Sequence, residues 1–380
     1  MTRSRHRQPI KVGFAFHPPA HYRSSLIHHL ERDGRVDVEF MFDPTRSRQP
    51  IRHLAPENIA RYRRLNFRMR FGLVWQGGLL SRIVREDYDA IVMTGDIHDV
   101  STWFALIAAR ILRKPALLWT QGWRRSEQGA RRLARLAFYR LAQRLLVYGE
   151  RARDLGISMG YPPERITVTY NSVSDTAEKP IPDHNEAPAA VAARYGFAPT
   201  SPVVIFASRL KRLKRADLLV HAAAALACQG SPIELVFIGD GEDRQSLQRL
   251  CRELAVPAYF AGALYEHDEL GLFYAIAACA ALPEHAGLGV IQAMQFGVPV
   301  VVNDDYEGNG PEAEAVLDGA TGAIYSKGSI EGLARALGRA CELGEDQVTR
   351  QACFEMAGNI WSARNQARLM VDAIELAVSR

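Results

Sequence analysis

The feature that most constrains this chain is an alternation of strands and helices that stops at a proline-rich stretch and then starts again. Short apolar runs at Lys11–Phe16, Val36–Phe42, Ala90–Met93, Ala116–Trp119, Leu145–Val147 and Ile166–Val168 read as buried parallel strands with helical segments between them. Residues 175–202 follow, with Pro180, Pro182, Pro188, Pro199 and Pro202 and little periodicity, and read as a linker. Strands resume at Val203–Ala207, Glu234–Ile238, Tyr259–Ala261, Ala280–Leu282, Val298–Val302 and Ala323–Tyr325. The pattern implies an α/β protein with two doubly wound parallel sheets facing a cleft, one over residues 1–174 and one over 203–360. Residues 361–380 read as one helix, with Ala367, Met370, Val371, Ile374 and Ala377 at helical spacing, expected to pack back on the first domain. Doubly wound sheets bind ligands at the carboxyl ends of their strands, so the loops that follow each strand are where chemistry is expected.

At 380 residues the chain has room for two domains of roughly 150 residues each. Its 48% hydrophobic content supplies both cores and excludes a disordered or fibrous chain. The net charge of +5 conceals a division: residues 1–150 hold 27 Lys/Arg against 13 Asp/Glu, and residues 151–380 hold 20 against 29. A basic first half and an acidic second half imply different partners. Cys228, Cys251, Cys279, Cys341 and Cys353 are odd in number and lack CxxC spacing. They read as buried small hydrophobes in a reducing compartment, not as a disulfide frame or a zinc site. The apolar stretch near the start breaks at His17-Pro18-Pro19, too short for a secretion signal, and no run approaches the ~18 residues of a membrane span. A soluble or membrane-surface protein is expected.

Three segments of the second half carry chemistry. Phe206-Ala207-Ser208-Arg209-Leu210 ends a strand, and Lys211, Arg212, Lys214 and Arg215 follow before a helix, which concentrates positive charge at a strand-to-helix turn. Ile238-Gly239-Asp240-Gly241-Glu242 suggests a dinucleotide fingerprint, but Arg244 stands where a third glycine is needed, so a tight turn is the better meaning and a nicotinamide dehydrogenase is disfavoured. In Pro283-Glu284-His285-Ala286-Gly287-Leu288-Gly289-Val290-Ile291-Gln292, a carboxylate sits at a strand exit and glycines lead into a helix. That geometry would aim the N–H groups of Gly287, Leu288 and Gly289 at an anion, with Glu284 beside whatever the anion carries and Gln292 further along the helix.

Taken in order, Ser208-Arg209-Leu210 with Lys214, Ile238-Gly239-Asp240-Gly241, Tyr259-Phe260-Ala261-Gly262, Glu284-x7-Gln292-Ala293-Met294 with Gly297 and Pro299, and Asp318-Gly319-Ala320-Thr321-Gly322 resemble the retaining family-4 glycosyltransferases of GT-B fold. Each motif alone is weak; five in this order are specific. The likeness is strong from about Val203 to Tyr325 and weaker back through Tyr148-Gly149-Glu150 and Tyr170-Asn171-Ser172. It implies two Rossmann-like domains, the second holding a nucleotide-sugar donor. Arg209 and Lys214 match positions that neutralise the donor diphosphate, and Glu284 matches the glutamate that contacts the sugar. Gln292 stands where a second glutamate binds the ribose, and an amide there donates and accepts without a charge-assisted bond. Ser208 and the Gly287–Gly289 turn fall in the donor-binding motifs, and Gly262 lies where the base is read.

The first half departs further from the family. A glycine pair common after the first strand is replaced by His17-Pro18-Pro19-Ala20-His21-Tyr22-Arg23, and a histidine common after the strand ending near Trp119 is replaced by Gln121. An amide does not titrate, which fits a retaining front-face mechanism in which the leaving phosphate takes the acceptor's proton. His17, His21, Asp96, His98 and Gln121 are the acceptor-side candidates on strand-exit loops. Asp87-Tyr88-Asp89 spells the aspartate pair of metal-dependent transferases but precedes a strand, so it reads as turn chemistry, and neither metal nor cofactor is expected.

Two arginine runs in the first half, Arg61–Phe71 and Arg124–Arg144, interleave with apolar residues and read as amphipathic helices suited to an anionic membrane surface; no nucleic-acid module accompanies them. The expectation is therefore a retaining hexosyltransferase, cytoplasmic and peripheral at the inner face of the membrane, acting on a lipid-linked glycan or glycolipid in polysaccharide or cell-envelope synthesis. Two alternatives stay open. A nucleotide-sugar 2-epimerase of the same fold would need first-domain acid/base groups that are not identified. A catalytically silent nucleotide-sugar-binding subunit is suggested by Gln292, Gln121 and the missing glycine pair.

Overall fold

The chain divides after Ser174 and again after Trp361, so that residues 1–174 and 362–380 form one unit and 175–361 the other. The computed structural model describes residues 8–45, 53–174 and 186–379, so 175–185 of the expected linker lie outside the described residues.

In the first unit the chain runs β1 (Ile10–Ala15), α1 (Ser24–Arg32), β2 (Val36–Phe42), β3 (Tyr62–Arg64), β4 (Asn66–Arg70), β5 (Leu73–Gly77) and α2 (Leu79–Arg85). It continues through β6 (Ala90–Thr94), α3 (Val100–Ile111), β7 (Ala116–Thr120), α4 (Gly129–Leu141), β8 (Arg144–Val147), α5 (Glu150–Ser158) and β9 (Ile166–Val168). Seven strands pair in the order β3-β2-β1-β6-β7-β8-β9, all parallel. The continuous apolar runs are buried on both faces, as the absence of polar alternation in them requires. The order reverses between β1 and β6, which makes their exits the switch point of this sheet.

The second unit contains α6 (Ala187–Tyr195), β10 (Val203–Ala207), α7 (Ala216–Cys228), β11 (Glu234–Ile238), α8 (Arg244–Glu253), β12 (Ala258–Gly262) and α9 (His267–Ala275). Then come β13 (Ala277–Leu282), α10 (Gly289–Met294), β14 (Val300–Asn303), β15 (Gly322–Tyr325), α11 (Ile330–Glu345) and α12 (Gln347–Glu355). Six parallel strands follow the order β12-β11-β10-β13-β14-β15, reversing between β10 and β13. The last helix, α13 (Ala363–Val378), is capped by Ser362 and returns to the first unit, where Met370, Val371 and Ile374 join the core built by α1 and β1. Helices α2–α5 line the opposite face of the same sheet.

Four readings of the sequence need correction. The Arg61–Phe71 run is not a helix: it forms β3, β4 and the start of a hairpin to β5, with Phe67 buried between exposed Asn66 and Arg68. Its period is two, and Phe71 and Gly72 both take positive φ, the geometry of a tight two-residue hairpin turn. In the Arg124–Arg144 run only residues 129–141 are helical, and the run is not a free cationic face. Glu127 pairs with Arg131 and Arg135 at 3.3 and 2.7 Å, while Arg132 and Arg140 donate to the carbonyls of Met159 and Gly160. The linker over 175–202 includes α6, which starts with Pro188 in its first turn and buries Ala187 and Val191. Cys228 is exposed, unlike Cys251, Cys279 and Cys353.

Candidate functional site

In the second unit the motif residues gather at the carboxyl ends of the strands on either side of the switch point. Ser208 and Arg209 leave β10, and a 3-10 turn over Arg212–Lys214 follows. The two glycines after β11 bring this loop into place. A side chain on Gly239 would meet Ser208 O at 2.0 Å, and one on Gly241 would meet Leu210 O at 2.2 Å. Ser208 N donates to Ile238 O and Leu210 N to Asp240 O, so the turn after β11 is the bed on which the β10 exit lies. Gly262 closes β12 with φ +77 and accepts from Gly239 N at 2.7 Å.

Across the switch point, Pro283–Gly287 leaves β13 and is held from several sides. Lys214 Nζ donates to His285 O at 2.6 Å, which ties the cationic turn to the Glu284 loop. Asn303 Nδ2 and Tyr325 OH both donate to Pro283 O, at 2.6 and 2.8 Å. Asn309 Oδ1 accepts from Ala286 N at 3.0 Å while its amide donates to Asn303. Gly289 lets α10 approach β10, since a Cβ there would stand 3.0 Å from Ala207 O. Among the described residues the N–H groups of Gly287, Leu288 and Gly289 donate to no protein acceptor, and Gln292 is half-buried on α10.

The electrostatics are mixed and local. Burial holds the Lys214 ammonium below the ordinary lysine range, opposed by the nearby Glu312 carboxylate, which is itself buried. Glu284 is largely covered, with Lys327 Nζ 3.9 Å from its carboxylate. Lys327 also pairs with Asp305 at 2.6 Å, which lowers the Asp305 carboxyl and raises the Lys327 ammonium. Arg209 is exposed at the rim. Asn303, Asn309, Glu312, Tyr325 and Lys327 were not foreseen as a group. Their signal is only that polar residues cluster after β14 and β15, and the contacts they make depend on sheet order.

In the first unit the acceptor-side candidates also fall at strand exits. His17, after β1, has Nε2 2.8 Å from Asp99 Oδ2, and Asp99 is fully buried. The switch point thus joins a half-buried imidazole to a buried carboxylate. Asp96 and His98 brace one local turn: Asp96 Oδ1 accepts from His98 N and lies 2.9 Å from its Nδ1. His21 begins a short 3-10 turn and packs against Tyr22, and Gln121 is exposed after β7. Arg23, not among the candidates, lies over the Trp119 ring at 4.4 Å and donates to Asn171 at 3.0 Å. No sequence signal links positions so far apart. Asp87 and Asp89 lie before β6, where Asp89 accepts from Lys11 N and Asp87 pairs with Lys11 Nζ; Tyr88 between them is core.

Residues 21–177 match the family described as Glycosyltransferase Family 4, and residues 190–353 match Glycosyl transferases group 1. A GDP-mannose-dependent alpha-(1-6)-phosphatidylinositol monomannoside mannosyltransferase of Mycolicibacterium smegmatis is 31% identical over 184 residues, 45% of this chain and 46% of that protein. A D-inositol 3-phosphate glycosyltransferase of Nocardia farcinica is 31% identical over 229 residues, 56% of this chain and 48% of that protein. The chain spans about half the length of these relatives. Among solved structures, the apo lipopolysaccharide outer core galactosyltransferase WaaB superposes with a TM-score of 0.70 at 17% identity, covering 97% of this chain and 99% of that one. Anabaena HepE in complex with UDP superposes with a TM-score of 0.70 at 18% identity, covering 97% and 100%.

Proposed function

The chain belongs to the family-4 glycosyltransferases and has their GT-B fold, and from that membership we propose that it moves a sugar from a nucleotide-sugar donor, with retention, to a lipid-linked glycan or glycolipid. One observation carries the reading. The cationic turn with Arg209 and Lys214 and the Glu284 loop share the strand-order reversal of one sheet, tied by the Lys214–His285 bond. A diphosphate fits the first element and a sugar the second.

In this reading Arg209 and Lys214, with the N–H groups of Gly287, Leu288 and Gly289, neutralise the leaving diphosphate in place of a divalent cation. Removing one such preorganised donor typically raises a barrier by about 3 kcal/mol. Ser208 and Gly262 border the nucleotide, Gln292 hydrogen-bonds the ribose, and Glu284 orients the sugar. The acceptor hydroxyl oxygen bonds the anomeric carbon as the bond to the diphosphate breaks, and its proton passes to the departing phosphate oxygen. A lipid-bound acceptor draws support from the names of the relatives, a phosphatidylinositol mannoside mannosyltransferase among them. Among the described residues no helix is long and apolar enough to cross a membrane; peripheral access to such an acceptor from the cytoplasmic face is part of the proposal.

The His17–Asp99 pair favours a second reading. An imidazole held by a buried carboxylate is arranged as a general base, and a base on the acceptor side belongs to an inverting displacement. Retention remains the preferred reading because the family resemblance implies it.

Calorimetric titration with UDP, GDP and dTDP tests the donor site. The wild-type protein is expected to bind at least one, and Arg209→Ala with Lys214→Ala to weaken that affinity by at least about tenfold. Unchanged binding by the double variant would contradict the assignment.

A further inference from the structure

We propose that the β4–β5 hairpin, together with the outer faces of α2 and α3, is a docking surface that inserts into an anionic lipid bilayer. The hairpin is anchored at its base and amphiphilic beyond it. Phe67 N donates to Asp43, Gln76 N to Ser101 Oγ and Val74 N to His98 O, all at 2.9–3.0 Å, and Phe67 and Val74 are buried. Beyond that base, Met69, Phe71, Leu73 and Trp75 face solvent, Phe71 at 89% exposure.

The turn residue is a local anomaly. Both turn positions have positive φ, 51° at Phe71 and 76° at Gly72, where asparagine or glycine is the residue the backbone favours. A bulky aromatic at such a position serves neither the turn nor any core, so its value lies in what it meets outside the molecule.

The apolar surface continues onto the helices. Trp75 and Phe104 are in ring contact at 5.9 Å, and Phe104, Ile107 and Ile111 are exposed at helical spacing along α3, Ile111 at 75%. Leu80 and Val84 extend it along α2, which packs against α3. A contiguous patch of this kind on a soluble face marks an interaction site.

Its charge selects the occupant. Arg68 and Arg70 stand directly across the hairpin from Trp75 and Leu73, and the Arg70 guanidinium lies 5.0 Å from the Phe71 ring centroid. Among the described residues Arg68, Arg70, Arg85 and Arg113 pair with no carboxylate, in contrast to Arg131 and Arg135 of α4. Apolar side chains that end in or beside guanidinium groups match the acyl boundary and phosphate layer of an anionic membrane. A second copy of the same face would instead set these cations against one another.

The base of the hairpin reaches the acceptor-side pair. Val74 bridges to Asp99, and the Phe67 ring packs 5.4 Å from His17. Docking through the hairpin would therefore fix this pair close beneath the headgroups. The inference deepens the lipid-linked acceptor reading and rests on it for its purpose, while its test reads binding alone.

The test is flotation of the full-length protein with phosphatidylcholine vesicles, with and without phosphatidylglycerol, in low and high salt and without donor or acceptor. Wild type is expected to float with the anionic vesicles and to be released by salt. Phe71→Asn with Leu73→Ser keeps a turn-compatible residue and removes the apolar tip, and should weaken partitioning by at least about tenfold. Arg68→Glu with Arg70→Glu should do the same, whereas Leu133→Ser on α4 should leave it unchanged. Equal flotation with neutral vesicles, or hairpin variants that float like wild type, would overturn the proposal. So would sedimentation showing a wild-type dimer that the hairpin variants dissociate. Docking by a protein that transfers no sugar in a separate assay with donor and lipid-linked acceptor would count against the catalytic reading alone.

Discussion

Glu284 stands at the exit of β13 with its side chain 12% exposed and the Lys327 ammonium 3.9 Å away. The carboxylate is thus oriented by the loop around it, and by a cation that Asp305 holds in turn. Glu284→Gln keeps the volume and removes the charge. Transfer is expected to fall by about a hundredfold or more, with nucleoside diphosphate affinity within several-fold of wild type, because the proposed diphosphate contacts are those of Arg209 and Lys214. Turnover unaltered in a radiolabel transfer assay would remove Glu284 from the chemistry. Gln292 is the residue of the donor-side motifs where this chain departs from the pattern it resembles. In the proposed reading its amide would keep two-way hydrogen bonding to a ribose but give up the charge-assisted bond, a difference of affinity more than of chemistry.

At the scale of elements, the site is a set of strand exits made to fit by glycines. Gly239→Ala would place a methyl 2.0 Å from Ser208 O, and both segments are held in place by backbone bonds, Ser208 N to Ile238 O and Gly239 N to Gly262 O. The β10 exit would be displaced, with at least a tenfold expected loss of nucleoside diphosphate affinity and a lowered melting temperature, read by calorimetry. An affinity equal to wild type would show that the bed formed by the β11 turn is dispensable. The strands of both sheets were legible in the sequence, because a parallel strand covered on two faces is an uninterrupted apolar run, as at Val36–Phe42 and Glu234–Ile238. The motif residues at their exits were legible for the same reason, since the end of each run marks the site edge. The hairpin was not. Arginine and aromatic residues alternate through 61–71 with few apolar positions buried, and only the pairing of Arg68 with Trp75 reveals a strand. Helix α6 was hidden by prolines that read as a linker, although Pro188 in a first helical turn costs no hydrogen bond. The His17–Asp99 contact joins residues 82 apart in sequence, and follows from β1 and β6 being neighbours, not from spacing.

Across the whole molecule, the division of charge acquires local meaning. The acidic half keeps a cationic turn at its switch point, and the basic half spends the arginines of α4 on Glu127 and on backbone carbonyls. In the hairpin and its flanks, by contrast, arginines that pair with no carboxylate among the described residues coincide with exposed apolar surface. The chain also closes on its first unit: α13 buries Ala363, Ala367, Met370, Val371 and Ile374 against the core around β1, so the beginning and the end of the sequence stabilise one sheet. In the proposed reading donor chemistry belongs to one unit and acceptor recognition to the other, so stereochemistry is the outcome that tests both assignments at once. The most direct measurement is the anomeric configuration, by proton NMR, of the first product formed from an α-configured nucleotide sugar and a lipid-linked acceptor in anionic vesicles. An α-linked product is the predicted result. A β-linked product would contradict retention and assign His17 as a base, and a donor that binds but is never consumed would leave the chain a nucleotide-sugar-binding subunit.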